Sequence, residues 1–227
     1  MPDNCLIIMV KCPRQGEVKK RLSRVIGKAH AAEIYRRCVL DLIDGLEPLT
    51  SGPDIDLFIG YHPPYDSECI DAWLGRSRRK IPQRGDDLGE KQALLLQAGF
   101  DLGYSSVCVM ASDLPDLPAE RVFTAFEKLG RYDCVIGPSQ DGGYFLIGFS
   151  RRSFRDILFN DMKWSHPGVT GEMIKRLKRS DMTWSATEPW PDIDTAEDLR
   201  SLIIRHKEKK ESPPVRTLTF LREHDLP

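Results

Sequence analysis

Short, unbroken apolar runs recur along this chain, and they limit its fold more than any other feature. CLIIMV (residues 5–10), SVCVMAS (106–112) and YDCVIGPS (132–139) are each too short to be a core helix. None alternates cleanly with polar residues, so each is predicted as a strand buried on both faces. DIDLFIGY (54–61), GYFLIGF (143–149) and MTWSATE (182–188) are predicted as further strands. Between these runs the apolar spacing changes to three and four. Residues 28–46 carry Ala31, Ile34, Tyr35, Cys38, Leu42 and Leu46 on one helical stripe, with Gly45 near the end. Helices are likewise predicted over 87–103, 118–130 (Pro at the start, Gly at the end), 169–179 and 195–210.

Strand and helix in alternation predict an α/β fold: one domain with a mixed, mainly parallel sheet and helices on both faces. Ligands of such sheets bind beyond the carboxyl ends of the strands. The domain is expected over residues 1–211. The tail SPPVRTLTFLREHDLP (212–227) falls outside the pattern; it would wrap the domain, pair with a second subunit in a homodimer, or stay loose. No internal repeat is present.

At 227 residues and 41% hydrophobic, the chain can bury a sizeable core and is too apolar to be disordered. A formal net charge of −1 argues against a nucleic-acid partner, which needs a broad basic face. The charge is unevenly placed, however. Lys11 to Arg37 holds nine Lys or Arg against two Glu, whereas Asp181 to Asp198 holds six acids and no base. Solvated helix faces would account for such runs, and so would a small, highly charged ligand held between cations and a metal. The six cysteines are scattered without a C-x-x-C and are expected as reduced core side chains; the five histidines have no zinc-like spacing. No apolar run approaches the ~20 residues of a membrane span, and the N-terminus lacks a leader pattern, so a cytoplasmic protein is expected.

Five segments carry candidate chemistry. In KCPRQGEVKKRL (11–22), Pro13 and Gly16 permit a sharp turn, and Lys11, Lys19, Lys20 and Arg21 present cations suited to phosphate oxygens. The loop is neither G-x-x-x-x-G-K-[ST] nor G-x-G-x-x-G. In MASDLPDLP (110–118), Asp113 stands where a buried strand ends, a place from which a carboxylate can hold Mg²⁺, with Ser112 as a minor contact; an Asx-turn before Pro115 is the plainer alternative. In WPDIDTAEDL (190–199), Asp192 and Asp194 are two apart in extended chain and point to one side, while Thr195 and Asp198 suit a helix start. Asp141-Gly142-Gly143 is a hairpin signal between two strands. PQRGDDLGEK (82–91) starts a helix, whose free N–H groups favour an anion.

Together these segments resemble a bacterial family of nucleotide-diphospho-sugar-transferase-like proteins of glycosyltransferase-A fold, some associated with radical-SAM or selenium-related gene neighbourhoods. The first segment is similar to the family's K-x-P-x-x-G-x-V-K-T-R-L, with Lys20 in place of Thr. The others resemble G-S-D-x-P-x-L, D-x-D-T-x-E-D-L, G-P-x-x-D-G-G-Y-x-L-I-G and Q-x-x-G-D-L-G-E-R. The family is similar to the 2-phospho-L-lactate guanylyltransferases. The resemblance implies that Asp113, Asp192 and Asp194 hold Mg²⁺ or Mn²⁺, and that Lys11, Gly16, Lys19, Lys20, Arg21, Gln83, Gly89 and Ser112 contact nucleotide or phosphate. It further implies that Asp141, Gly142, Gly143 and Tyr144 line an acceptor site, with Lys19, Arg21 and Asp113 at the catalytic centre. The expected activity is nucleotidyl transfer from a nucleoside triphosphate to a small phosphorylated or hydroxyl acceptor. Glycosyl transfer from a nucleotide-sugar, with Asp141 or Asp116 as base, is the alternative, and a non-catalytic nucleotide-binding module is the third.

Overall fold

The computed structural model of the chain describes residues 3–208 and 214–226; the predicted helix end at 209–210 and the start of the tail lie outside them. Seven strands form one sheet: β1 (Asn4–Lys11), β2 (Ile55–His62), β3 (Arg79–Pro82), β4 (Ser106–Met110), β5 (Cys134–Pro138), β6 (Tyr144–Ser150) and β7 (Trp184–Ala186). Their order is β3-β2-β1-β4-β6-β5-β7. β6 runs against both neighbours, and every other pairing is parallel. The fold is therefore the expected single-domain, mixed and mainly parallel α/β arrangement.

β1 shows why its sequence makes a central strand. Cys5, Leu6, Ile7, Ile8 and Val10 are all fully buried. Leu6, Ile8 and Val10 face one apolar layer, and Cys5 and Ile7 face the other. Each buried aliphatic side chain contributes about 1.5–3 kcal/mol, so an unbroken run is stable only where both sheet faces are covered. The first layer is closed by α2 (Lys28–Thr50), α3 (Ser67–Leu74) and α5 (Ala119–Leu129), the second by α4 (Leu88–Asp101), α6 (Val169–Arg179) and a 3₁₀ turn at Asp156–Phe159. A third cluster joins α1 (Lys20–Ile26) and α2 to α7 (Ala196–Glu208) and α8 (Val215–Glu223).

α8 is the described part of the tail, and it docks on the domain. Asp41 of α2, 6% exposed, accepts from the Thr217 amide at 2.8 Å, its hydroxyl at 2.7 Å and the Arg216 amide at 3.1 Å. One buried carboxylate thus satisfies the first turn of α8, while Phe220 and Leu221 enter the third cluster.

The cysteines depart from expectation. Cys5, Cys38, Cys108 and Cys134 are buried core side chains, but Cys12 and Cys69 form a disulfide across a sequence separation of 57. The loop after β1 folds back over the start of α3, a meeting that sequence spacing does not reveal.

Candidate functional site

The basic loop leaves the carboxyl end of β1 and turns at Gly16, whose φ of 81° suits a residue without a side chain. Lys19 then takes a left-handed conformation, φ 47° and ψ 50°, immediately before α1. Such a backbone is unusual for a lysine and persists only where the surroundings hold it. Here the side chain turns inward. Only 4% of it is exposed, and its Nζ lies 2.6 Å from Asp113 Oδ2 and 2.9 Å from Asp194 Oδ1.

Asp113 follows the end of β4, and its carbonyl accepts the Ile193 amide at 3.0 Å, which pins residues 192–194 beside the strand end. Ile193 is fully buried, so Asp192 and Asp194 turn together to the open side. Asp198 then starts α7: its Oδ2 accepts from the amides of Asp194 (2.9 Å) and Thr195 (2.7 Å), while Thr195 Oγ1 accepts from the Asp198 amide (3.3 Å). This is the reciprocal capping that the Thr195–Asp198 spacing suggests. As a result, carboxylate oxygens of Asp113, Asp192 and Asp194 lie within 4.8 Å of one another.

The electrostatics are unbalanced. Lys19 is raised above the ordinary lysine value: burial pulls it down, and the Asp113 and Asp194 carboxylates outweigh that pull. Asp194 is held low by Lys19, Arg21 and Lys11 against the opposing effect of burial. Asp192 is pushed up to about 6 by burial and then by Asp113 and Asp194. Asp113 Oδ1 is buried and has no hydrogen-bond partner among the described residues. Three carboxylates with one buried ammonium, and an unpaired buried oxygen, form a hard-oxygen set that suits a divalent cation.

The other predicted residues divide into several groups. Arg21 is 70% exposed and stands 3.9 Å from Asp194. Lys20, the first residue of α1, is exposed. Desolvation, with the Lys91, Lys20 and Lys19 ammoniums nearby, lowers Lys11. Ser112 is buried, and its hydroxyl meets Tyr35 Oη at 3.0 Å. Tyr35 Oη also accepts the Lys11 amide at 2.9 Å, so this α2 residue ties the basic loop to the Asp113 strand end. In sequence Tyr35 reads as part of the apolar stripe of α2, with no signal of this role.

Gln83 is 3% exposed and donates from Nε2 to Val10 O (3.0 Å) and Gly60 O (2.6 Å), bridging β1 and β2. Gly89 packs in the first turn of α4, where an added Cβ would lie 2.5 Å from Trp164 and 2.9 Å from Phe159 O. Gly142 has φ 89° and abuts Pro167, and Gly143 O accepts from Thr170 Oγ1 at 2.6 Å, so this hairpin packs on the start of α6. Asp141 Oδ1 accepts the Gly143 amide at 2.9 Å, and Tyr144 Oη donates to Gln92 at 2.7 Å. Among the described residues, no hydrogen bond joins 141–144 to the carboxylate cluster. The Asp116 side chain, 2% exposed, is engaged by Arg205 (2.8 Å), His206 (3.0 Å) and Trp190 (3.2 Å).

Comparison with known proteins agrees with this architecture. The chain is 36% identical to a candidate nucleotide-diphospho-sugar transferase of known structure from Desulfovibrio desulfuricans G20, with a TM-score of 0.90 over 99% of this chain and 96% of that one. It is 24% identical over 202 residues to a 2-phospho-L-lactate guanylyltransferase from Archaeoglobus fulgidus, covering 89% of this chain and 85% of the relative. A 4-diphosphocytidyl-2C-methyl-D-erythritol synthase from Anaerococcus prevotii shares the fold at 11% identity, with a TM-score of 0.59 over 91% and 99% of the two chains. The family model of uncharacterized proteins conserved in bacteria, DUF2064, matches residues 46–166, a span that includes Asp113 and the 141–144 hairpin, and the chain belongs to that family.

Proposed function

We propose that this transferase moves a nucleotidyl group from a nucleoside triphosphate to a small phosphorylated or hydroxyl acceptor and releases pyrophosphate. The observation that carries this is the meeting of Lys19, Asp113, Asp192 and Asp194 at the carboxyl ends of β1 and β4, from segments far apart in sequence. The guanylyltransferase relative supports nucleotidyl rather than any other group transfer.

Asp113, Asp192 and Asp194 would hold Mg²⁺ or Mn²⁺, and the bound ion would neutralise charge on the donor phosphates. Lys11 at the end of β1, with Lys20 and Arg21 at the start of α1, flank the loop that would face those phosphates and would offset their charge. The Gly16 turn allows close backbone approach. Lys19 sets the carboxylates at a fixed spacing and offsets part of their mutual repulsion. Tyr35 keeps Ser112 and the Lys11 amide in place. The 141–144 hairpin is assigned to the acceptor side. An acceptor oxygen then attacks the α-phosphorus in line, and the bond to the β-phosphate bridging oxygen breaks. A phosphorylated acceptor is already an anion and needs no protein base, which accords with Asp116 being engaged elsewhere.

Glycosyl transfer from a nucleotide-sugar is the second reading, favoured by the 36% identical relative, a candidate nucleotide-diphospho-sugar transferase. The two differ in the leaving group. Purified protein with Mg²⁺, each nucleoside triphosphate and a panel of phosphorylated small acids should release pyrophosphate, and Asp113→Asn should lower the rate by about 10²–10³. Release of nucleoside diphosphate from nucleotide-sugars instead would establish glycosyl transfer. Pyrophosphate release that survives Asp113→Asn unchanged would refute the site.

A further inference from the structure

Cys12 directly follows Lys11 at the start of the basic loop, and Cys69 lies in the first turn of the eight-residue α3. Their Cα atoms are 6.1 Å apart, within the natural range for a bridge. Asp66, the residue capping α3, has a carboxylate oxygen within 4.8 Å of both sulfurs and accepts the Cys69 amide at 3.4 Å. The same carboxylate pairs with Arg14 of the loop. Two side-chain links, one covalent and one ionic, therefore fasten the loop to α3. The ionic link is weak alone, because the Arg14 side chain is 46% exposed.

The surroundings suit thiol chemistry. Cys12, only 3% exposed, lines a cavity of about 290 Å³ together with Lys11, Arg14, Glu17, Lys20, His62 and Tyr65, and Cys69 is half-buried and the more accessible of the two. Reactive cysteines occur beside cations and at helix N-termini, which favour the thiolate; Asp66 and Glu68 oppose that effect here. The remaining four cysteines are sealed in the core.

We propose that Cys12 and Cys69 are a thiol–disulfide modification site that locks and releases the loop bearing Lys19. In the locking direction, one cysteine thiolate attacks a sulfur of a low-molecular-weight disulfide and expels one small thiolate. The second cysteine thiolate then attacks the protein-bound sulfur of that mixed disulfide and expels the other. The protein loses two electrons and two protons, and two small thiols are formed. A dithiol reductant reverses both steps. The locked form holds Lys11 and Lys19 in the arrangement described, and the reduced form loosens them. The effect on nucleotide binding rests on the proposed function, whereas the exchange itself does not.

The full-length chain, equilibrated with oxidised glutathione or with dithiothreitol and then alkylated, provides the test. Peptide mapping should show Cys12 and Cys69 alone switching between cross-linked and alkylated forms. Amide exchange across residues 12–19 should be about tenfold faster in the reduced protein. Cys69→Ser should show the fast exchange under both treatments. Failure to recover the 12–69 cross-link, equal exchange in both forms, or one zinc ion per chain held by both free thiols would overturn the proposal. Nucleoside triphosphates with Mg²⁺ should raise the melting temperature of the oxidised form more than that of the reduced form. Equal shifts would overturn the link to binding. A working switch with no shift in either form would instead refute the nucleotide-transfer function and leave the exchange site standing.

Discussion

Replacing Lys19 with methionine keeps most of the side chain's apolar length and removes its charge. The native ammonium lies 2.6 Å from Asp113 and 2.9 Å from Asp194, with 4% of its side chain exposed. The carboxylates it leaves behind are 22% and 42% exposed, and Asp192 adds a third. Removing one partner of a fully buried pair costs about 3–5 kcal/mol. Water reaches Asp194, so the cost falls below that range, to about 2–3 kcal/mol. In a chain of this size each kcal/mol moves the melting temperature by about 2–4 °C, giving a drop of about 4–12 °C in chelator.

A divalent cation should reverse the order of effects. In the native protein the ion must share Asp113 and Asp194 with an ammonium; in Lys19→Met it meets three uncompensated carboxylates. A tenfold gain in cation affinity adds about 1.4 kcal/mol at saturation. Thermal unfolding of both proteins in chelator and in excess Mg²⁺ measures both quantities. The variant should be the less stable in chelator and should gain more from Mg²⁺. A variant as stable as the native chain in chelator would show that the two ion pairs contribute nothing. A Mg²⁺ response no larger than the native one would show that the carboxylates do not form a cation site.

Asp192, raised to about 6, must lose its proton to ligate a cation, so Mg²⁺ affinity should fall as pH drops through about 6; calorimetric titrations across that range should show the inflection in the native protein and lose it in Asp192→Asn. Without metal the sign reverses. The folded form binds that proton more tightly than the unfolded chain, so Asp192 adds stability as pH falls from about 6 towards 3.8, and urea unfolding against pH reads it. Asp116→Ala strips the partner from Arg205 and His206 and should cost about 3–5 kcal/mol in urea unfolding, a loss too large for a solvent-facing base. Tyr35→Phe leaves the Lys11 amide and the Ser112 hydroxyl without their shared partner and should cost about 1–3 kcal/mol, with a weaker Mg²⁺-dependent melting shift than the native protein shows.

Most of the sheet was legible because its central strands are buried on both faces, and an unbroken apolar run has few other uses in a chain of this composition. The segments that escaped are those with weak local signals. α1 has seven residues and begins after a left-handed lysine. β3 has four, two of them charged, and pairs only at the sheet edge. α3 has eight residues, and α8 follows a proline-containing stretch outside the strand–helix alternation. α2 runs past its expected end to Thr50, carrying Pro48 in its last turn.

The same division runs through the site. Asp113, Asp192 and Asp194 could be singled out because a parallel sheet sends successive strand ends to one edge, so a carboxylate at a strand end and a pair in an extended segment have somewhere to meet. Lys19 stood out as a cation, but its partners lie 94 and 175 positions away, and nothing local distinguishes a lysine aimed at phosphate from one held by carboxylates. Tyr35 and Cys69 hold the site in place from beyond the motifs, and Asp116 acts from within one, all through contacts made only once helices pack on the sheet. Residues that present chemistry are tied to backbone geometry, which is local and periodic. Residues that hold that chemistry in place depend on which surfaces the core brings together, and the spacing of side chains along the chain does not encode this.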